Sequence, residues 1–294
     1  MSLNIRELKI NDHEQVKELS VNIWEGNDYI PERFPLWISE ESTTPIGGFL
    51  DDQLVALGCL ELVEKSNIGW VKGLRVKEYF RKKNYGTEIV KQIIELAKTH
   101  GVEHLRYATS SRNLASQNLA LKLGFAEKER IGYFRLQPPY PPHPKPSPIW
   151  IPIEIDAYRL YDIILKNPSL IESDNLPVAW EFDFKNKEGL ERLGQHTKFK
   201  IMVDEKGVTH GLFYRCDRER QNTTTTTYSI FASDRAIFVD IMARIQDELE
   251  ISNVDRAAFF LGPNATEWSS GLGIISEEYK GRRFLLYELN PQSS

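Results

Sequence analysis

The sequence is short of the residues that build metal centres, disulfide frameworks and membrane spans. Its two cysteines, Cys59 and Cys216, stand far apart in apolar or strand-like surroundings. That argues against a disulfide framework or a cysteine-rich metal site, and a reducing cytoplasm is the expected setting. The histidines His13, His100, His104, His143, His196 and His210 show no ligand spacing, so no metal is expected. No stretch approaches the roughly eighteen apolar residues of a membrane helix, and MSLNIRELKINDHEQ lacks the apolar run of an export leader. A net charge of -5 gives no electrostatic footing for general nucleic-acid binding. Neither GxGxxG nor GxxxxGK[ST] occurs, so the Rossmann and Walker phosphate loops fit poorly.

What is present describes a globular chain of 294 residues, 41% hydrophobic and 27% charged, long enough for one large or two ordinary domains. The most informative stretch runs from Gly69 to Gly101. Trp70, Val71, Leu74 and Val76 read as a strand, and Ile89, Val90, Ile93, Ile94, Leu96 and Ala97 fall at helical spacing. Between them lies RKKNYGT, with the cations Arg81, Lys82 and Lys83 and two residues suited to positive φ, Asn84 and Gly86. Backbone N–H groups in such a turn, together with a helix N-terminus, can converge on an anion such as a diphosphate. The alternative is a charged surface turn before an ordinary helix.

At these residues the chain resembles the Gcn5-related N-acetyltransferase superfamily, which carries Gln/Arg-x-x-Gly-x-Gly/Ala between its fourth strand and third helix. Arg81, Asn84 and Gly86 match that pattern, with asparagine where the family prefers glycine. The resemblance implies an α/β (α+β) fold, a mixed central sheet flanked by helices, with acetyl-CoA as co-substrate. It assigns the pyrophosphate to Arg81, Lys82, Lys83, Asn84, Tyr85, Gly86 and Thr87, and the pantetheine arm and thioester to the backbone around Leu74 and Val76. SSRNLASQNLALKLGF resembles the family's next helix through Asn113, Ser116, Leu119, Gly124 and Phe125. Asn113 and Ser116 are thereby candidates for contact with the cofactor arm. Ala120 stands where many members carry the tyrosine that protonates the leaving thiolate.

The resemblance covers roughly residues 3 to 137 and begins, as the family does, with a strand over 4–9 and a helix from Asn11 or Asp12 to about Trp24. In Trp24 to Glu40, the residues Gly26, Asp28, Tyr29, Ile30, Pro31, Phe34 and Trp37 resemble a Gly-x-Asp-Tyr-Leu-Pro segment of the subgroup containing animal histidine N-acetyltransferases and microbial relatives. This makes Asp28, Tyr29 and Phe34 candidates for the acceptor wall. The alternative places Trp24, Phe34, Leu36 and Trp37 in the core with solvated acids around them. A hairpin is expected over Gly48 to Leu62, and closing strands over Ala126 to Gln137.

PPYPPHPKPSP, residues 138–148, carries seven prolines and reads as a stiff extended linker, with His143 exposed. The expected division is a catalytic domain over 1–137, the linker, and a second domain over 149–294. A helix over SDRAIFVDIMARIQDELE places Ile237, Ile241, Ile245 and Leu249 on one face. The ending repeats the first domain's order, with Asn264 for Asn113 and Gly271 to Gly273 for Gly124. Because IFASDRAIF lacks a glycine and a cation cluster, this half is expected to be a degenerate acetyltransferase-like domain without a pyrophosphate loop. Thr223 to Thr227 is expected to form a polar strand edge.

Acetyl transfer needs a neutral amine and a proton donor for sulfur. Glu61 is the candidate base, acting through water, and Asp28 the group holding a cationic substrate. Tyr133 and Tyr107 are the candidate acids, with packing of both rings on the sheet as the alternative. The resulting expectation is an N-acetyltransferase acting on a small-molecule amine or free amino acid in a ternary complex, with no membrane or nucleic-acid partner and a homodimer left open. Two alternatives stand beside it: a CoA-binding regulatory module without turnover, and a protein or peptide N-acetyltransferase.

Overall fold

The structure is a computed structural model and describes residues 3–220, 223–252 and 254–293. The chain forms two compact units, one of residues 1–107, 114–128 and 287–294, the other of 108–113 and 129–286. They run otherwise than the expected division: residues 129–137 cluster with the second unit and the C-terminal residues 287–294 with the first.

The first unit is built on β1 (Asn4–Glu7), β2 (Thr43–Leu50), β3 (Gln53–Leu62), β4 (Ile68–Val76) and the start of β5 (His104–Ser110), in that spatial order. Pairs are antiparallel except β4 with β5, whose parallel register runs from Ile68↔His104 to Trp70↔Arg106. Between these strands run α1 (His13–Ser20), α2 (Ile30–Ser39) and α3 (Tyr85–Thr99), and α4 (Leu114–Lys122) follows β5. Val16, Leu19, Phe34, Trp37, Leu57 and Cys59 pack into the core beneath α1 and α2.

The aromatic stretch expected as a wall contains α2, whose hydrogen bonding explains one histidine. Pro31 sits in its first turn, where a missing N–H costs nothing. Pro35 lies inside the helix and cannot donate to the carbonyl four residues back. That carbonyl, of Pro31, accepts instead from His13 Nε2 at 2.7 Å, and the imidazole stacks on Phe34 at 5.5 Å between centroids.

The second unit includes most of β6 (Ala126–Leu136), then β7 (Ile151–Ile155), α5 (Ala157–Lys166), a small hairpin of β8 (Asn175–Val178) and β9 (Glu181–Phe184), and α6 (Lys187–Gly194). β10 (Phe199–Val203), β11 (Thr209–Arg220), β12 (Thr223–Ala232), α7 (Arg235–Ile251), β13 (Arg256–Leu261), α8 (Pro263–Ser269) and β14 (Arg283–Leu289) follow, and β14 ends in the first unit. Its sheet order is β6-β13-β12-β11-β10-β7, and only β12 with β13 is parallel among these pairs. Ile237, Ile241, Ile245 and Leu249 are all buried, as the helical spacing of α7 requires.

Two expectations for this half are corrected. The threonine run is not an edge, because β12 lies between β11 and β13. There Thr226 and Thr227 are buried and their hydroxyls donate to Asp217 Oδ1 and the Cys216 carbonyl. The proline-rich segment has no ladder of its own, yet it is tied down to α7 and its flank. Gln246 donates to Pro141 O, Arg244 to the carbonyls of Ser147 and Trp150, and Tyr140 to Val254 O. His143 is not exposed: its side chain is 10% accessible, with Nε2 at 3.4 Å from Glu250 and 3.6 Å from Asp247. Among the described residues no helix is long and apolar enough to cross a membrane.

Candidate active site

The turn from Arg81 to Asn84 contains two non-glycine residues in the left-handed region, Lys82 at φ 62 and Asn84 at φ 66. For lysine that conformation costs about 1–2 kcal/mol, and such strain concentrates where a ligand uses it. Asn84 takes the role expected of it. Gly86 does not, for it lies in the first turn of α3 rather than at positive φ. What glycine provides there is closeness, since a Cβ would stand 3.3 Å from Val76 Cγ2.

The helical hydrogen bonds of α3 begin with Glu88 N donating to Asn84 O, and Asn84 makes no side-chain cap. The amides of Tyr85, Gly86 and Thr87 therefore have no intrahelical acceptor and face outward from the positive end of the helix. Arg81, Lys82 and Lys83 are exposed around them, and Thr87 is buried. Arg81 Nε donates to Val76 O at 3.3 Å, tying the turn to the end of β4. Lys122, at the end of α4, donates to Asn84 Oδ1 at 3.2 Å.

β4 carries the second part of the site. It is paired with β3 as far as Ala56↔Val76, but its register with β5 stops at Trp70↔Arg106. Beyond that point its other edge, including Leu74 and Val76, continues toward the turn. Gly73 makes this course possible. It has φ +59 and coincides with a register shift opposite Leu57 and Cys59, and a Cβ there would lie 2.4 Å from Trp37 Cη2. A glycine inside a strand is a bulge signal that could have been read from the sequence.

On the α1–α2 face, two acids meet two cations. Lys72 is registered with Cys59 and Arg75 with Leu57, both residues of the core under those helices, so the cations project to that side. Arg75 donates to both oxygens of Asp28, Nη2 to Oδ1 at 2.8 Å and Nε to Oδ2 at 3.0 Å. Its guanidinium also lies 5.5 Å from the Tyr29 ring. Lys72 stands 3.7 Å from Glu61 and 5.4 Å from the centre of Trp70. Burial raises the Tyr29 phenol above its ordinary pKa, opposed by Arg75 and Lys72.

The structure thus brings Asp28, Tyr29 and Glu61 to one face with Lys72 and Arg75, which sequence reasoning missed. A pairing of residues 28 and 75 depends on tertiary folding and leaves no local signature. Phe34 is corrected: it is fully buried in the core under α1 and presents no surface to a ligand.

Ser116 lies on α4 and accepts from the Tyr107 hydroxyl at 2.9 Å. Asn113 belongs to residues 108–113 of the second unit, where its amide donates to Ser110 O. Tyr133 also lies in the second unit, packed against Phe260, Tyr279 and Phe284, and its hydroxyl accepts from Arg135.

The corresponding elements of the second unit are closed. Asp234 caps α7 and accepts from the amides of Ala236 and Ile237 at 2.8 and 3.1 Å, so its own carboxylate occupies the helix N-terminus. β12 and β13 remain paired to Ile230↔Leu261, and Gly262 N donates to Ile230 O at 2.9 Å. The void left beside Phe231 and Gly262 is ≈ 10 Å³, room for about one water.

Residues 11–125 match the model of the Acetyltransferase (GNAT) family. An aminoglycoside N(6')-acetyltransferase type 1 from Serratia marcescens is 35% identical over 72 residues, which are 24% of this chain and 49% of that protein. The chain therefore spans about half the length of this curated relative. A Gcn5-related N-acetyltransferase from Sphaerobacter thermophilus superposes with a TM-score of 0.62 at 12% identity, covering 98% of this chain and 96% of that one. A tandem GNAT protein from the clavulanic acid biosynthesis pathway does so with a TM-score of 0.56 at 12% identity, covering 99% of each. These two likenesses concern the fold alone, and the second, covering nearly all of a tandem GNAT protein, matches an architecture of two acetyltransferase-like domains. The family model is matched across the turn and its flanking elements, so residues 11–125 are similar to the Gcn5-related N-acetyltransferase superfamily.

Proposed function

We propose that this chain is an acetyl-CoA-dependent N-acetyltransferase acting on a small amine, and that the acceptor is a free amino acid rather than a polycation. The observation that carries the reading is the strained turn, with its first-turn amides of α3 and three cations, beside the continuing edge of β4. The diphosphate sits on the amides of Tyr85, Gly86 and Thr87, with Arg81, Lys82 and Lys83 around it. The pantetheine arm runs along β4 past Leu74 and Val76. Backbone N–H groups of that edge polarise the thioester carbonyl and hold the oxyanion as the amine attacks.

The acceptor approaches from the α1–α2 face. Glu61 takes the proton of the attacking nitrogen through water, with Lys72 Nζ 3.7 Å from its carboxylate. An α-amine titrates near pH 8, so it loses its proton more readily than a lysine side chain. A polycationic acceptor is disfavoured because Asp28 and Glu61 are each already matched by a cation from β4. The aminoglycoside relative supports a small-molecule amine in general. Buried thiols at Cys59 and Cys216, neither of them in a disulfide, suit a cytoplasmic enzyme.

Thiol release from acetyl-CoA across a panel of amino acids, polyamines, aminoglycosides and peptides tests this reading. The expected result is turnover with an amino acid and far less with kanamycin or spermidine. One observation favours a second reading: Ala120 is buried and offers no proton. Tight CoA binding with no thiol release from any acceptor would leave a regulatory CoA-binding module instead.

A further inference from the structure

We propose that Tyr107, held in place by Ser116, donates the proton that the departing coenzyme A sulfur needs. The proposal rests on the acetyl-transfer reading and assigns the step that Ala120 cannot perform. Expelling a thiolate is easier when a donor meets the sulfur as the C–S bond lengthens. α4 supplies only a buried methyl group at Ala120.

Tyr107 is placed to compensate from the neighbouring strand. It follows Arg106, the last residue of β5 in register with β4, so its side chain departs where the two strands cease to pair. That is where the thioester leaves the edge of β4 for the acceptor. The ring packs edge-on to Phe125 at 6.4 Å between centroids, and the hydroxyl donates to Ser116 Oγ at 2.9 Å on α4, one turn before Ala120. Phe125 and Ser116 fix the ring and the oxygen, and turning the O–H from Ser116 to sulfur requires only rotation about the C–O bond.

The surroundings keep the group protonated until it is used. Burial raises the Tyr107 pKa, while the Ser116 hydrogen bond and the charge of Arg75 oppose the rise. Arg75 and Tyr29 both act on this phenol, which brings it within electrostatic reach of the acceptor face. The other tyrosine expected from the sequence, Tyr133, lies in the second unit with Arg135 already donating to its oxygen.

The step balances without a further reactant. The amine nitrogen has bonded to the acetyl carbon. The C–S bond breaks, the sulfur takes the proton from Tyr107 Oη, and the phenolate recovers, through water, the proton that Glu61 took from the attacking nitrogen. Products are the acetylated amine and the free thiol.

The test compares wild type, Tyr107→Phe and Ser116→Ala in the full chain. The readouts are thiol release against pH with the best amino-acid acceptor, CoA affinity by calorimetry and thermal melting. Tyr107→Phe is expected to lower kcat by about 10²–10⁴-fold, to keep CoA affinity within about threefold, and to lose the alkaline limb of the kcat profile. Ser116→Ala is expected to fall between the two and to keep that limb. The proposal is overturned if Tyr107→Phe stays within about threefold of wild-type kcat, or if its loss is matched by an equal loss of CoA affinity or of fold. Wild-type protein that binds CoA yet releases no thiol overturns the acetyl-transfer reading itself, and this proposal with it.

Discussion

A carboxylate bridged on both oxygens by a guanidinium is a poor site for an incoming ammonium, and this decides the role of Asp28. Its side chain is 1% accessible and that of Arg75 13%, so the pair is buried and its loss is asymmetric. Removing Asp28 strands a cation against Tyr29, which costs about 3–5 kcal/mol. Asp28→Ala should therefore lower stability by that order in urea titration, with Asp28→Ala/Arg75→Met recovering part of the loss. A milder effect belongs to Asp12, which accepts from both guanidinium nitrogens of Arg6 at 2.8 Å. That hydrogen bond is the largest cause holding its carboxyl below the ordinary value. Because the folded pKa is depressed, the stabilisation is present above the unfolded pKa of about 3.9 and is lost as pH falls through the folded one. Replacing Asp12 by Asn should flatten the dependence of the urea midpoint on pH below about 4. Neither pair was legible in the sequence. The candidate anion-binding turn was, because Arg81, Asn84 and Gly86 lie within six consecutive residues and their geometry is local.

At the scale of elements, legibility followed the range of the interactions involved. The helical faces of α3 and α7 came from spacing alone, and Gly124 ends α4 at φ +85 as expected. The α2 helix was obscured by its two prolines. One costs nothing in the first turn, and His13 takes up the carbonyl left by the other. The threonine run looked like an edge because its polarity is visible and its hydrogen-bond partners on β11 are not. Gly73 is the element-level feature with the sharpest consequence. Any side chain there meets Trp37 and demands positive φ. Gly73→Ala should destabilise the first unit by about 1–3 kcal/mol, read by thermal melting, and should weaken CoA binding as β4 straightens.

Over the whole chain, sequence order and compact units diverge at the C-terminus. Arg106 is fully buried, and its Nε donates to Glu288 Oε2 at 2.9 Å, while His104 Nδ1 lies 3.1 Å from the other oxygen. All three belong to the first unit, though Glu288 is 182 residues beyond Arg106. A fragment of residues 1–137 would leave Arg106 without that carboxylate and should show no cooperative urea transition, whereas the full chain should. The repeat of acetyltransferase-like domains was legible from the order of elements. The features that close the second domain were half legible: the missing glycine and cations could be read, but not Asp234 turned back onto α7 or β12 and β13 kept together.

The central claim is that the amides opening α3 grip a diphosphate and that their counterparts opening α7 do not. Calorimetric titration of CoA into the wild-type chain and into Gly86→Asp measures this directly. An aspartate in the first helical turn favours the helix while setting a negative charge against the phosphates. The prediction is one CoA per chain for wild type, no detectable binding for Gly86→Asp, and an unchanged circular dichroism spectrum. Two CoA per chain, or undiminished affinity in the variant, would contradict it.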